Sequence, residues 1–258
     1  MLWYKNWLEC KFRVWLCLAL AAIMLLVMLA DLPQLTQRQW QANASGFTAR
    51  SLATQWLIPV PPAERVLWHR YLYLFASVVL PMSAIILAGA GINVQTNWGM
   101  RQGFHPSMQF LLSLPVSRQR LYWTRVALGW TLVLAMMVLS LASLLVLAPL
   151  RGLPLSPAIA VRLLPYLTIG ALVYYSVAVV VSAWLDEFWG GIFCMSLTAA
   201  ITAYSLAGGA GWFALATFIE ARPLLHYGQT AWAQGCFYLL LSAALLAAGR
   251  YLVNTREY

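Results

Sequence analysis

Charged side chains are the scarcest class in this sequence. They make up 9% of 258 residues, against roughly a quarter in a soluble globular domain. So little charge, beside 62% hydrophobic residues and 13 tryptophans, excludes an ordinary water-soluble fold and points to a bilayer. Lysine is nearly missing, with Lys5 and Lys11 alone. No GxxxxGK phosphate-binding loop can be read anywhere, so the chain is not expected to be an ATPase, nor an enzyme of any other kind. Cys10, Cys17, Cys194 and Cys236 are scattered, with no CxxC or Cys/His pairing. That spacing argues against a zinc site and against a disulfide framework. His69, His105 and His226 lie too far apart to read as metal ligands.

The middle thirds of the long apolar runs hold no Asp, Glu, His or Lys. Ion-driven carriers keep such groups at membrane depth, and an intramembrane protease would need paired ones. Neither class is expected. The formal net charge of +9 suggests basic loops against anionic headgroups rather than nucleic acid, because no basic run interleaves with aromatics on a soluble scaffold.

What is present is a set of six apolar runs, at about 14–30, 71–92, 122–148, 163–184, 189–206 and 231–253. A helical span needs roughly 20 such residues. The expected fold is an all-α polytopic membrane protein, one domain over 1–258, with six transmembrane helices. Residues 2–13 place Lys5, Glu9 and Arg13 on one helical face, with Trp3, Trp7, Leu8 and Phe12 on the apolar side, which predicts an interfacial N-terminal helix. Asp31 to Arg70 reads as a polar connector with four prolines, Pro33, Pro59, Pro61 and Pro62, and Pro81 predicts a kink in the second span.

Gly208, Gly209 and Gly211 interrupt the chain after the fifth run. The stretch that follows, GWFALATFIEARPLLHYGQ, is too short and too polar for a full span and predicts a partial or re-entrant helix near the outer face. Its Glu220 is a candidate outer gate that touches a cationic substrate; the alternative is a carboxylate paired with Arg222 or facing water. Tyr174, Tyr175, Ser176, Thr198, Thr202, Tyr204 and Ser205 either line a polar path or bond between helices.

Arginines and lysines near the run ends set the orientation. Lys5, Lys11, Arg13, Arg101, Arg118, Arg120, Arg125, Arg250 and Arg256 fall on one side, which predicts both termini in the cytoplasm. Trp15, Trp123, Trp184 and Trp189 belong to the same side, as aromatic anchors at headgroup depth.

The connector 99–121 carries the most specific signal. Ser107 to Leu114 predicts a short helix with Met108, Leu111 and Leu112 on one side. Pro115 ends it, since a residue before proline is driven out of helical geometry. Ser117 is placed to cap the next helix, which opens with Arg118 and Arg120. Such a short helix can fill a groove on a partner or lie on lipid phosphate.

The residues Leu111-Leu112-Ser113-Leu114-Pro115-Val116-Ser117-Arg118 resemble the coupling segment of ABC transporter permeases of the type-2 exporter class, and the layout of the whole chain is similar to theirs. Where that family often has an early acidic residue, this chain has Arg101, Gln102 and His105. The resemblance implies a permease subunit of an ATP-driven exporter in a bacterial cytoplasmic membrane. Its partners would be ABC ATPase subunits and a second permease subunit, identical or related. ATP and Mg would be bound by the ATPase, with no cofactor in this chain. Phe104, Met108, Leu111, Leu112, Leu114, Pro115, Ser117 and Arg118 would form the coupling interface. The alternative is a non-transporting scaffold that transmits force from the same ATPase.

Overall fold

The computed structural model describes residues 11–30, 62–88, 117–150, 155–185, 187–206, 214–221, 224–225 and 231–255. Regular structure among them is helical throughout. The elements are α1 (Lys11–Ala30), α2 (Pro62–Leu74), a π-helical segment (Phe75–Val79), α3 (Leu80–Ala88), α4 (Arg118–Leu150), α5 (Pro157–Trp184), α6 (Glu187–Leu206), α7 (Leu215–Ile219) and α8 (Trp232–Thr255). Four helices are long and apolar enough to cross a bilayer: Lys11–Ala30, Gln119–Leu150, Pro157–Trp184 and Trp232–Thr255. They mark a multi-pass membrane protein. The other two expected spans fall on less uniform helices. One is the run from α2 to α3, broken by its π segment, and the other is α6, whose apolar part is Trp189–Tyr204.

Helical structure in the second run starts at Pro62, well before the apolar stretch that begins at Tyr71. Proline is suited to a first helical position because its missing N–H has no partner there in any case. The sequence predicts a kink at Pro81; the irregularity lies in the turn before it. The Leu80 N–H bonds to the Phe75 carbonyl, five residues back. Pro81 has no N–H, and in a regular helix its ring would press on the carbonyl of Ser77. A wider turn moves that carbonyl away. The Ser83 hydroxyl then supplies a donor to the Val79 carbonyl at 2.6 Å, which is how a membrane helix tolerates proline.

Long-range hydrogen bonds fix which helix ends meet. At one end, the Arg13 guanidinium donates to the Ile86 carbonyl at 3.0 Å, a cation on the negative end of α3. The Tyr122 hydroxyl donates to Leu246 O at 2.8 Å, and the Tyr175 hydroxyl to Val126 O at 3.1 Å. At the other end, the Ser156 N–H donates to Glu64 Oε1 at 2.6 Å, and the Ala231 N–H to the Tyr166 hydroxyl at 3.2 Å. The starts of α1 and α4 and the ends of α3, α5 and α8 therefore share one end of the bundle.

The most enclosed of the long helices is α5, and α8 lies along it. Gly235, Ser242 and Gly249 recur every seven residues on the buried face of α8, a spacing that keeps small residues against a neighbouring helix. A Cβ on Gly249 would sit 2.8 Å from the Tyr122 hydroxyl and 3.5 Å from Val180. Outward faces remain apolar: Leu26 on α1, Val138 and Leu139 on α4, Phe193 on α6 and Leu240 on α8 are all exposed. In water such surface would be untenable; here it is the surface that contacts lipid.

Candidate functional site

The short helix α7 is closed at both ends by its sequence. In the sequence, glycines precede it and Pro223 follows, a residue common just past a helix end. The chain leaves the helix through Ala221, whose φ of 48° lies in the left-handed region. Glycine usually takes that place, because a side chain there costs roughly 1–2 kcal/mol. The stop is held by bonds of 2.9 Å from Glu220 N to Ala216 O, Ala221 N to Phe218 O and Leu225 N to Ala221 O.

This element penetrates the bundle. Leu215, Ala216, Phe218, Ile219, Glu220 and Ala221 are all buried, as expected of a helix surrounded by others. Ile219 rests directly on Gly170, where any Cβ would overlap its side chain. Gly170 stands halfway along the 28-residue α5. The ring of Phe218 packs between Tyr166, with centroids 5.1 Å apart, and Tyr238 at 5.0 Å. The partial helix expected near one face thus carries its C-terminal end to the mid-height of the central helix.

Glu220 is consequently an acidic group deep in the bundle, 2% exposed, where the reading of the six apolar runs finds none. The hydroxyl of Tyr174 on α5 is buried and has no hydrogen-bond partner among the described residues. That hydroxyl is within electrostatic reach of both Glu220 and the Tyr238 hydroxyl. Tyr238 in turn accepts from Gln234 Nε2 at 3.4 Å. A buried hydroxyl left without a partner costs about 1–3 kcal/mol, so its position asks for a function.

The other polar candidates divide cleanly. Tyr175 bonds to Val126 O, Ser176 to Leu172 O and Val173 O, and Thr198 to Cys194 O. These hydroxyls are consumed by helix backbone and serve packing. Thr202 Oγ1, like the Tyr174 hydroxyl, is buried without a hydrogen-bond partner among the described residues. Tyr204 faces outward, and the side chain of Ser205 lies outside the described residues.

Of the expected coupling residues, Phe104, Met108, Leu111, Leu112, Leu114 and Pro115 lie outside the described residues, as does most of the 2–13 helix. Ser117 and the backbone of Arg118 are described. The Ser117 hydroxyl accepts from the Arg120 N–H at 3.3 Å and its carbonyl from Leu121 N at 3.1 Å, so Ser117 caps α4.

Two charged positions escaped the reading of the sequence. Glu64, assigned there to a polar connector, is buried and accepts from both Trp68 Nε1 at 3.2 Å and Ser156 N at 2.6 Å. The signal was available: a proline at a first helical position with an acid in the first turn marks a helix start. Arg125, counted with the surface cations, is buried within α4. Among the described residues no three His, Cys, Asp or Glu converge as metal ligands. No family model, curated protein or solved structure matches this chain.

Proposed function

We propose that this chain is the permease subunit of an ATP-driven exporter, set in motion by a nucleotide-hydrolysing partner on a separate polypeptide. The observation that carries the transport half of the reading is the re-entrant α7, which brings Glu220 to the mid-height of α5. Broken helices and ionisable groups at that depth are characteristic of substrate paths.

The ATPase half rests on the LLSLPVSR segment. Geometry supports it in one respect: α3 ends and α4 begins at the same end of the bundle, so the segment between them starts and finishes there. That end carries Lys11, Arg13, Arg118, Arg120 and Arg250, and Trp15, Trp123, Trp184 and Trp189 are exposed around it. An excess of Lys and Arg is the mark of a cytoplasmic face, while Trp rings sit at either membrane interface. In this proposal six helical passes cross the bilayer, both termini are cytoplasmic, and a second permease subunit completes the path. Phe104, Met108, Leu111, Leu112, Leu114, Pro115, Ser117 and Arg118 meet the ATPase, and its closure on ATP tilts α3 and α4.

Purification of the tagged chain from its native membrane in mild detergent tests the reading. An ATPase with a phosphate-binding loop is expected to accompany it in near-equal amount. Hydrolysis of ATP by the chain alone would overturn the proposal.

A further inference from the structure

We infer that the slot between α1, the π turn and α4 holds the acyl chain of a neutral lipid-like molecule, with an ester or amide carbonyl beside Ser140. The inference concerns this chain by itself and does not rest on its reading as a permease.

The slot is the first observation. The first helix lines it from Ala21 to Met28, the second span from Tyr71 to Val79, and α4 contributes Ser140. It runs along both helices, since either stretch rises about 10 Å or a little more. The empty space is about 240 Å³ with its open side included. A water-sized group takes roughly 30 Å³, which leaves room for about eight such groups. Over that length they stand in single file, as the carbons of one alkyl chain do. Methionines 24 and 28 give the wall some adaptability, and a π turn is frequent at functional sites.

A donor without an acceptor is the second observation. The Tyr71 hydroxyl donates to Ser140 Oγ at 3.1 Å. Two hydroxyls carry two protons and this bond uses one, so the other meets no acceptor among the described residues. Tyr71 is 3% exposed and Ser140 7%. Neighbouring hydroxyls on α4 bond to their own helix, Thr131 to Leu128 O and Ser143 to Leu139 O. A buried donor of this kind calls for an oxygen on the occupant.

The surroundings identify that occupant. The least buried lining residues are Met24 and Leu74, and Met24 is flanked on α1 by the exposed, lipid-facing Ile23 and Leu26. The slot is therefore continuous with hydrocarbon. No charged side chain lines it, which suits a neutral molecule. Its polar pair lies toward the end marked by Glu64, and the apolar stretch continues from there to Val79. An oxygen followed by carbon is the order of an acyl chain entering from the leaflet at that end.

The test uses methyl palmitate with a photoactivatable diazirine at mid-chain. It is added to the full chain in nanodiscs of ether-linked phosphatidylcholine, whose chains carry no carbonyl, and cross-linked peptides are located by mass spectrometry. Saturable labelling of α1 and the π turn is expected, in excess over the outward Leu139 and Leu240, which report ordinary lipid contact. Unlabelled methyl palmitate should compete about fivefold better than hexadecane, which has no oxygen, and Ser140→Ala should remove most of that preference. Met24→Trp fills the slot from its rim and should lower labelling by about fivefold or more. Labelling spread evenly over the outward faces, equal competition by hexadecane, or undiminished labelling of Met24→Trp would each overturn the inference. Should Met24→Trp fail to insert, an unchanged ester preference in Ser140→Ala overturns it alone. No ATPase takes part, so the outcome leaves the coupling proposal as it stands.

Discussion

The Glu64 carboxylate on α2 receives the backbone N–H of Ser156, 92 residues further along the chain, at 2.6 Å. One oxygen joins the N-terminal ends of two helices and also accepts from Trp68 Nε1 at 3.2 Å. Its negative charge sits on the positive end of α5.

Removing that carboxylate strands both donors. We expect Glu64→Ala to cost about 2–4 kcal/mol, and Glu64→Gln, which keeps an acceptor, clearly less. Thermal unfolding in detergent gives the order. A Glu64→Ala chain as stable as wild type would show that the pair does not hold α2 to α5.

Ala221 offers the opposite prediction. Its φ of 48° suits glycine, so Ala221→Gly should stabilise the fold by about 1 kcal/mol. For a chain of this size that corresponds to a rise in unfolding temperature of roughly 2–4 °C. A fall would mean that α7 does not end in a left-handed turn.

The depth of α7 can be tested by a paired substitution. Gly170→Ala pushes a methyl group into Ile219, and overpacking of this kind costs about 1–3 kcal/mol. Ile219→Ala removes the obstruction, so the double variant should be more stable than the sum of the two single effects. Strict additivity would place Ile219 elsewhere.

Tyr122 and Gly249 separate hydrogen bonding from packing. The Tyr122 hydroxyl reaches Leu246 O at 2.8 Å, and interhelical bonds in lipid average only about 0.6 kcal/mol. Tyr122→Phe should therefore be mild. Gly249→Ala should be worse, because its new methyl group meets that hydroxyl at 2.8 Å while the ring carbon lies at 3.7 Å. In the Tyr122→Phe background the same alanine should be tolerated. An equal penalty in both backgrounds would contradict the packing.

Much of this architecture is legible in the chain itself. Uncharged apolar runs announce the long helices, since a bilayer admits few other backbones. Ser117 reads as a helix cap and is one. Pro81 announces an irregular turn, although the turn before it absorbs the strain. The depth of Glu220 is not legible. It depends on Ile219 meeting Gly170, a contact between distant segments, and five helical residues carry too little periodicity to say where they dock. Glu64 and Ser156 illustrate the same difficulty: each signals a helix start by itself, and only the assembled bundle shows that they bond.

The coupling segment is where the reading of the chain as a driven permease is most exposed. Leu111→Asp with Leu114→Asp places two charges on the apolar side of that connector and leaves the helices of the bundle untouched. Copurification of the ATPase with this double variant, at wild-type levels of membrane insertion, is the deciding measurement. We expect ATPase recovery to fall by tenfold or more, about 1.4 kcal/mol or greater in association. Undiminished recovery, with ATP turnover unchanged, would show that force does not enter this protein through residues 99–121.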